Sequence, residues 1–178
     1  MFGPVISLAA PLIRWLMTFL PPDIHPMVVH FPIVLLYLTG GIDIAAMLVD
    51  DRERLWQRMG FWTLTLACFF TVITMMLGVV SEQFVHFSPV MAAILQRHQD
   101  FAALTGLCEG TAWLVRVLTR FPRGRGWSVL AFGHGKATWV STVLVIAAVV
   151  FVTMTARLGG KMVYDYGAGV LGVTRTIR

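Results

Sequence analysis

Apolar residues in this chain arrive in four blocks separated by short polar punctuation. The blocks run roughly Met27–Val49, Gly60–Val80, Phe101–Leu118 and Lys136–Ala156. A helix needs ~20 largely apolar residues to cross the hydrocarbon of a bilayer. Each block has about that length, with at most a polar interruption or two. The pattern predicts an all-α membrane protein, a four-transmembrane-helix up-down bundle. Helix one opens at His25-Pro26, because proline is tolerated in a first turn where its missing N–H would be unpaired anyway. Asp50-Asp51-Arg52-Glu53-Arg54 closes that helix in a charged loop. Helix two ends near Ser81-Glu82. The stretch Gln83–Gln96 is read as a loop with a short amphipathic piece, broken at Ser88-Pro89. Helix three is expected to start near His98 and to run out at Arg120. Helix four is expected to end at Arg157-Leu158-Gly159-Gly160. No internal repeat is evident along the chain.

The first twenty residues read differently. Met1–Leu20 is apolar, but Pro4, Pro11 and Arg14 interrupt it and Pro21-Pro22 ends it. It lacks the basic start and small-residue cleavage site of a secretory signal. An N-terminal interfacial helix lying on the membrane fits it, with Arg14 and Trp15 at headgroup level. The chain thus divides into an interfacial segment at 1–22, a bundle at 23–158 and a Gly/Tyr-rich tail at 159–178.

Composition sharpens this picture. Hydrophobic residues make up 57% of the chain and charged ones 13%, against about 25% charged in soluble domains. The net charge of +5 does not point to nucleic acid, since the basic residues gather at helix ends, where snorkelling and anionic headgroups account for them. Cys68 and Cys108 sit inside apolar runs and behave as small hydrophobes. The loops opposite the histidines hold eight of the basic residues, Arg116 among them, and the histidine side holds six. By the positive-inside rule those loops are cytoplasmic. The histidines and both termini then face the periplasm.

Four histidines fall on that one side: His25 and His30 at the start of helix one, and His86 and His98 around the loop between helices two and three. Neutral imidazole is the commonest metal ligand. His30 and His98 lie on different helices within about two turns in depth, so they are the candidate axial ligands of one haem iron, with His25 a further cofactor-binding candidate. Gly41 shares a helical face with His30, and Gly106 lies near the face of His98, so both are candidates to make room for a ring. The Gly106-x-x-x-Gly110 spacing is equally that of plain helix packing in lipid. His134 sits at the opposite end as a loop or helix-start residue.

Glu109 falls near mid-span, where an acid faces a bundle interior or a cavity. It either steers protons, bonds a histidine or cofactor propionate, or is a protonated carboxyl held by a neighbouring helix. Asp43 has Arg116 or a loop arginine as its candidate ion-pair partner. The ten methionines are scattered, so no copper-handling array is read. The glycines of Gly159–Val170 permit tight turns. That segment is expected to fold back over the histidine face, unless Tyr164 and Tyr166 serve as interfacial anchors.

His25-Pro26…His30-Phe31-Pro32, the lone His98 at the start of span three, and Gly159-Gly160-x-x-Val163-Tyr164…Gly167-x-Gly169-Val170 after span four resemble a bacterial membrane family, domain of unknown function 2231. Met162 departs from the leucine usual before the Val-Tyr pair. The resemblance implies a four-helix membrane protein found near or fused to c-type cytochrome or Rieske-type modules, and through that association a b-type haem. The expected function is a haem-b-binding subunit of the bacterial inner membrane. It would pass electrons between a periplasmic carrier, such as a c-type cytochrome, and the quinone pool or a larger respiratory or photosynthetic complex. It reads as an electron-transfer or accessory subunit more than a stand-alone enzyme. The alternatives are a non-redox subunit that stabilises a larger membrane complex, and a small metal or proton transporter. No hydrolase motif or phosphate loop is present.

Overall fold

The computed structural model describes residues 24–49, 55–82, 85, 88–120 and 134–169. The interfacial segment, both loops at the arginine end and His86 lie outside these residues. Among the described residues five helices form: α1 (Ile24–Val28), α2 (His30–Leu48), α3 (Leu55–Ser81), α4 (Pro89–Arg120) and α5 (His134–Tyr164). The first two are one span interrupted at Val29, whose N–H still bonds His25 O at 3.0 Å. Pro32 accounts for the interruption, since it has no N–H to give Val28 O. Four spans therefore have the length and apolarity to cross a membrane. Spans adjacent in sequence are adjacent in space, and the first closes onto the fourth. The four-helix bundle stands as expected.

Two helix ends differ from the sequence reading. Helix α4 begins at Pro89, not near His98. Ser88 caps it, accepting the Met91 N–H on its Oγ at 3.3 Å while its carbonyl takes the Ala92 N–H at 2.8 Å. Ser-Pro is thus a start signal, with serine capping and proline in the first turn. At 32 residues the helix is about 48 Å long. It is therefore longer than a ~30 Å hydrocarbon layer requires. Helix α5 runs through Gly159-Gly160 to Tyr164. It stops where Gly167 takes φ 68 and donates its N–H to Val163 O at 3.0 Å, a left-handed cap suited to glycine. Two helical glycines cost roughly 1 kcal/mol each, and packing on both sides of the helix outweighs that.

Lipid replaces water as the solvent of this fold. The core is narrow: Leu36, Leu64, Ala67, Ala112, Val145, Ala148 and Val152 are buried. Large apolar side chains such as Val34, Trp62, Phe69, Leu107 and Val143 point outward. Small residues at the centre let the backbones approach, since helices in lipid gain from close packing more than from hydrophobic burial. Several threonine hydroxyls return to their own helix, as in Thr105 Oγ1 to Phe101 O at 2.9 Å, which satisfies a polar group that hydrocarbon cannot.

The described residues also show what the linear pattern hid. The two hairpins are quasi-equivalent. In the first span His25, Leu36 and Asp43 follow one another at the same intervals as His98, Glu109 and Arg116 in the third. In the second span Gly60, Leu64, Ala67, Thr74 and Gly78 match Ser141, Val145, Ala148, Thr155 and Gly159 in the fourth. Leu36 and Glu109 are both fully inside, as are Leu64 with Val145 and Ala67 with Ala148. Phe31 stacks on Phe70 at 4.8 Å, and Phe101 on Phe151 at 6.2 Å, with Phe70 and Phe151 at matching positions. Lipid-facing residues differ between the hairpins, since lipid asks only for apolarity. The equivalence lies in spacing and burial more than in residue identity.

Candidate functional site

The histidine end is built from this equivalence. His25 Nδ1 donates to Thr74 O at 3.0 Å, and His98 Nδ1 donates to Thr155 O at 2.9 Å. A carbonyl only accepts, so each Nδ1 carries the proton and the Nε2 of the neutral ring holds the lone pair. One turn further along each accepting helix lies a glycine against which the ring rests. A Cβ at Gly78 would stand 3.2 Å from His25 Cε1, and one at Gly159 would stand 3.4 Å from His98 Cε1. Gly159, expected to break a helix, instead clears the seat of an imidazole. Both rings are partly buried, and each lies within electrostatic reach of the other. Glu82, which accepts from Gln99 Nε2, lies within reach of His25.

Of the three candidate histidines, the structure turns His25 and His98 toward neighbouring helices. His30 is exposed on the outer face of α2, one break beyond the His25 turn. Gly41 shares that lipid-facing side, with nothing within 4 Å of a Cβ placed on it. Gly106 does face a neighbour, since a Cβ there would meet Met75 Cε at 3.1 Å. It accommodates a methionine on α3. The reason lies in the register: the interruption before Pro32 leaves His25, not His30, on the side of α1 that meets α3. The signal that could have selected His25 was the matched spacing of His25 with Asp43 and His98 with Arg116. Among the described residues no three His, Cys, Asp or Glu side chains gather as a metal-ion cage.

Below the histidines the interior stays polar. Glu109 lies eleven residues down α4 from His98, about 16 Å along the axis, and is 2% exposed. Its Oε2 is buried without a hydrogen-bond partner, as are Thr71 Oγ1 and Thr74 Oγ1 on the facing helix. An unsatisfied buried carboxyl oxygen is rare in a folded protein. It marks a position that packing alone does not explain. Cys68 and Cys108 are free thiols.

At the arginine end, one guanidinium ties all four spans. Arg116 Nη2 pairs with Asp43 of the first span, Nη1 donates to Gly60 O of the second at 2.8 Å, and Nε donates to Ser141 Oγ of the fourth at 2.6 Å. Thr142 Oγ1 adds a bond to Asp43 Oδ2 at 3.3 Å. The Asp43–Arg116 pairing expected from the sequence is present. It removes Arg116 from the loop charges, which narrows the basic bias to seven against six. Gly60 leaves no space here, since a Cβ would stand 2.9 Å from Asp43 Oδ1 and 3.2 Å from Arg116 Nη1. Gly60→Ala should therefore destabilise the bundle by about 1–3 kcal/mol through overpacking. Gly41→Ala, in open space, should be neutral or stabilise by up to ~1 kcal/mol through helix propensity. Thermal unfolding of the two variants in one detergent checks the contrast, and equal midpoints would refute it.

Residues 21–172 match a family described as "Predicted membrane protein (DUF2231)", and the chain belongs to it. No curated protein and no solved structure matches the chain.

Proposed function

We propose that this DUF2231 protein is a haem-b-binding membrane subunit whose axial ligands are His25 and His98. The observation that carries the reading is the pair of Nδ1–H bonds to the Thr74 and Thr155 carbonyls. Ligating histidines regularly donate their second ring N–H to a backbone carbonyl, which fixes the tautomer and aims the other nitrogen. Here that arrangement occurs twice, on two hairpins, at one end of the bundle. The donor set also favours a macrocycle. Among the described residues no cluster of three His, Cys, Asp or Glu side chains forms, and two imidazoles are too few for a tetrahedral ion site. They suffice for a haem iron, whose four equatorial positions the porphyrin fills.

When bound, such a group supplies one-electron chemistry. The chain's own residues hold the ligands and keep water out. Thr74 and Thr155 orient the rings, Gly78 and Gly159 let them seat, and the apolar flanks place the site at one membrane face. The electrons would pass between a periplasmic carrier and the quinone pool or a larger complex of the bacterial inner membrane. The histidine end would then face the periplasm.

A reduced-minus-oxidised absorption spectrum of protein purified from haem-replete cells tests this directly. The expected result is the sharp visible bands of six-coordinate bis-imidazole haem b. A colourless protein overturns the reading and leaves a non-redox subunit that stabilises a membrane complex.

A further inference from the structure

The quasi-equivalence of the hairpins makes one departure from it informative. On the flank of the second hairpin, Arg97, Phe101, Met154, Arg157, Leu158 and Lys161 line a groove of about 180 Å³. Three of the six are cations, and among the described residues none of the three is ion-paired. Their counterparts on the first hairpin, at the matching intervals, are Ile24, Val28, Ile73, Met76, Leu77 and Val80. Every one is apolar. Snorkelling at helix ends does not require this arrangement, because the first hairpin reaches the same depth with Ile24, Met76 and Val80 where the second has Arg97, Arg157 and Lys161.

The groove is also graded along the membrane normal. Arg157 and Lys161 are one turn apart on one face of α5, with Met154 a turn deeper. Arg97 stands one turn above Phe101 on α4. Positive charge therefore sits toward the membrane surface and apolar side chains lie beneath it. The volume is below the ~300–1,000 Å³ of ordinary small-molecule pockets, which suits a headgroup more than a whole soluble substrate.

We propose that this groove binds the phosphate of an acidic phospholipid, its acyl chains running down past Phe101 and Met154. Charge complementarity selects the headgroup, and the apolar floor selects an amphiphile over a free anion. The site is separate from the histidine pair, since His98 turns to the inner side of α5 at Gly159 while Arg157 and Lys161 are exposed on the outer flank. It does not rest on the haem reading.

The test uses the full chain in nanodiscs of phosphatidylcholine with or without phosphatidylglycerol, released into native mass spectrometry. One cation near an anionic headgroup contributes about a fivefold factor, so three give on the order of a hundredfold preference for phosphatidylglycerol. Combining Arg97→Gln, Arg157→Gln and Lys161→Gln should reduce retention to the phosphatidylcholine level. Arg58→Gln, an exposed cation at the other end, should leave it unchanged. The three replaced side chains are exposed, and a melting temperature equal to the parent's confirms that the fold persists. Equal retention of the two lipids overturns the proposal, as does a preference that survives the triple replacement. A further arm adds inorganic phosphate or glycerol phosphate. Displacement of the lipid at comparable concentration overturns it in favour of a free-anion site, and failure to displace supports the lipid.

Discussion

Replacing Arg116 by leucine should cost the bundle about 3–5 kcal/mol, the loss associated with leaving one member of a buried ion pair behind. The variant leaves the Asp43 carboxylate without its cation and takes one bond each from the Gly60 carbonyl and Ser141 Oγ, which keep Thr63 Oγ1 and Ala112 O as partners. Thr142 alone still donates to Asp43. The effect should depend on the partner. Combining Arg116→Leu with Asp43→Leu removes both charges, and buried pairs replaced by apolar residues are often neutral or better. The double variant should therefore recover most of the loss. Unfolding of the purified protein in mixed detergent measures it. A double variant no more stable than Arg116→Leu alone would show that the guanidinium matters chiefly through Gly60 and Ser141. An Arg116→Leu protein as stable as the parent would refute the four-span tie altogether.

The second large effect concerns the histidines. His25→Ala and His98→Ala should each abolish the bis-imidazole haem spectrum, while His30→Ala should leave it intact. The prediction follows from where the rings are. His25 and His98 turn inward and are anchored through Nδ1, whereas His30 is exposed on the outer face of α2. Substituting a partly buried imidazole also frees one carbonyl, Thr74 O or Thr155 O. Each is already a helix acceptor, so the fold should lose only about 1 kcal/mol. Retained helicity by circular dichroism together with a lost spectrum separates ligation from folding. Loss of the spectrum in His30→Ala with retention in His25→Ala would reverse the assignment. Gly159→Val offers an independent check. A side chain placed there must push against His98 Cε1, so haem retention should fall although no ligand has been removed.

The sequence by itself determined the membrane class, the number of spans and the need of Asp43 for a cationic partner, which the structure identifies as Arg116. Hydrocarbon imposes those directly: ~20 apolar residues per crossing, and a partner for any charge within it. Local rules were harder to read where two of them competed. Ser88-Pro89 looked like a break but begins α4, because a proline one position after a serine satisfies a helix start as well as it ends a run. Gly159-Gly160 looked like a stop but stays helical, because the left-handed cap falls later, at Gly167. Which histidine of the first span turns inward was settled by tertiary contacts. Periodicity places His25 and His30 near the same depth, and only the interruption before Pro32 and the contact with α3 choose which ring turns inward. The equivalence of the two hairpins was likewise hidden. It is carried by residues that meet across helices, Thr74 with His25 and Thr155 with His98, and by equal intervals between mostly unlike residues, which the pattern of apolar and polar positions does not display.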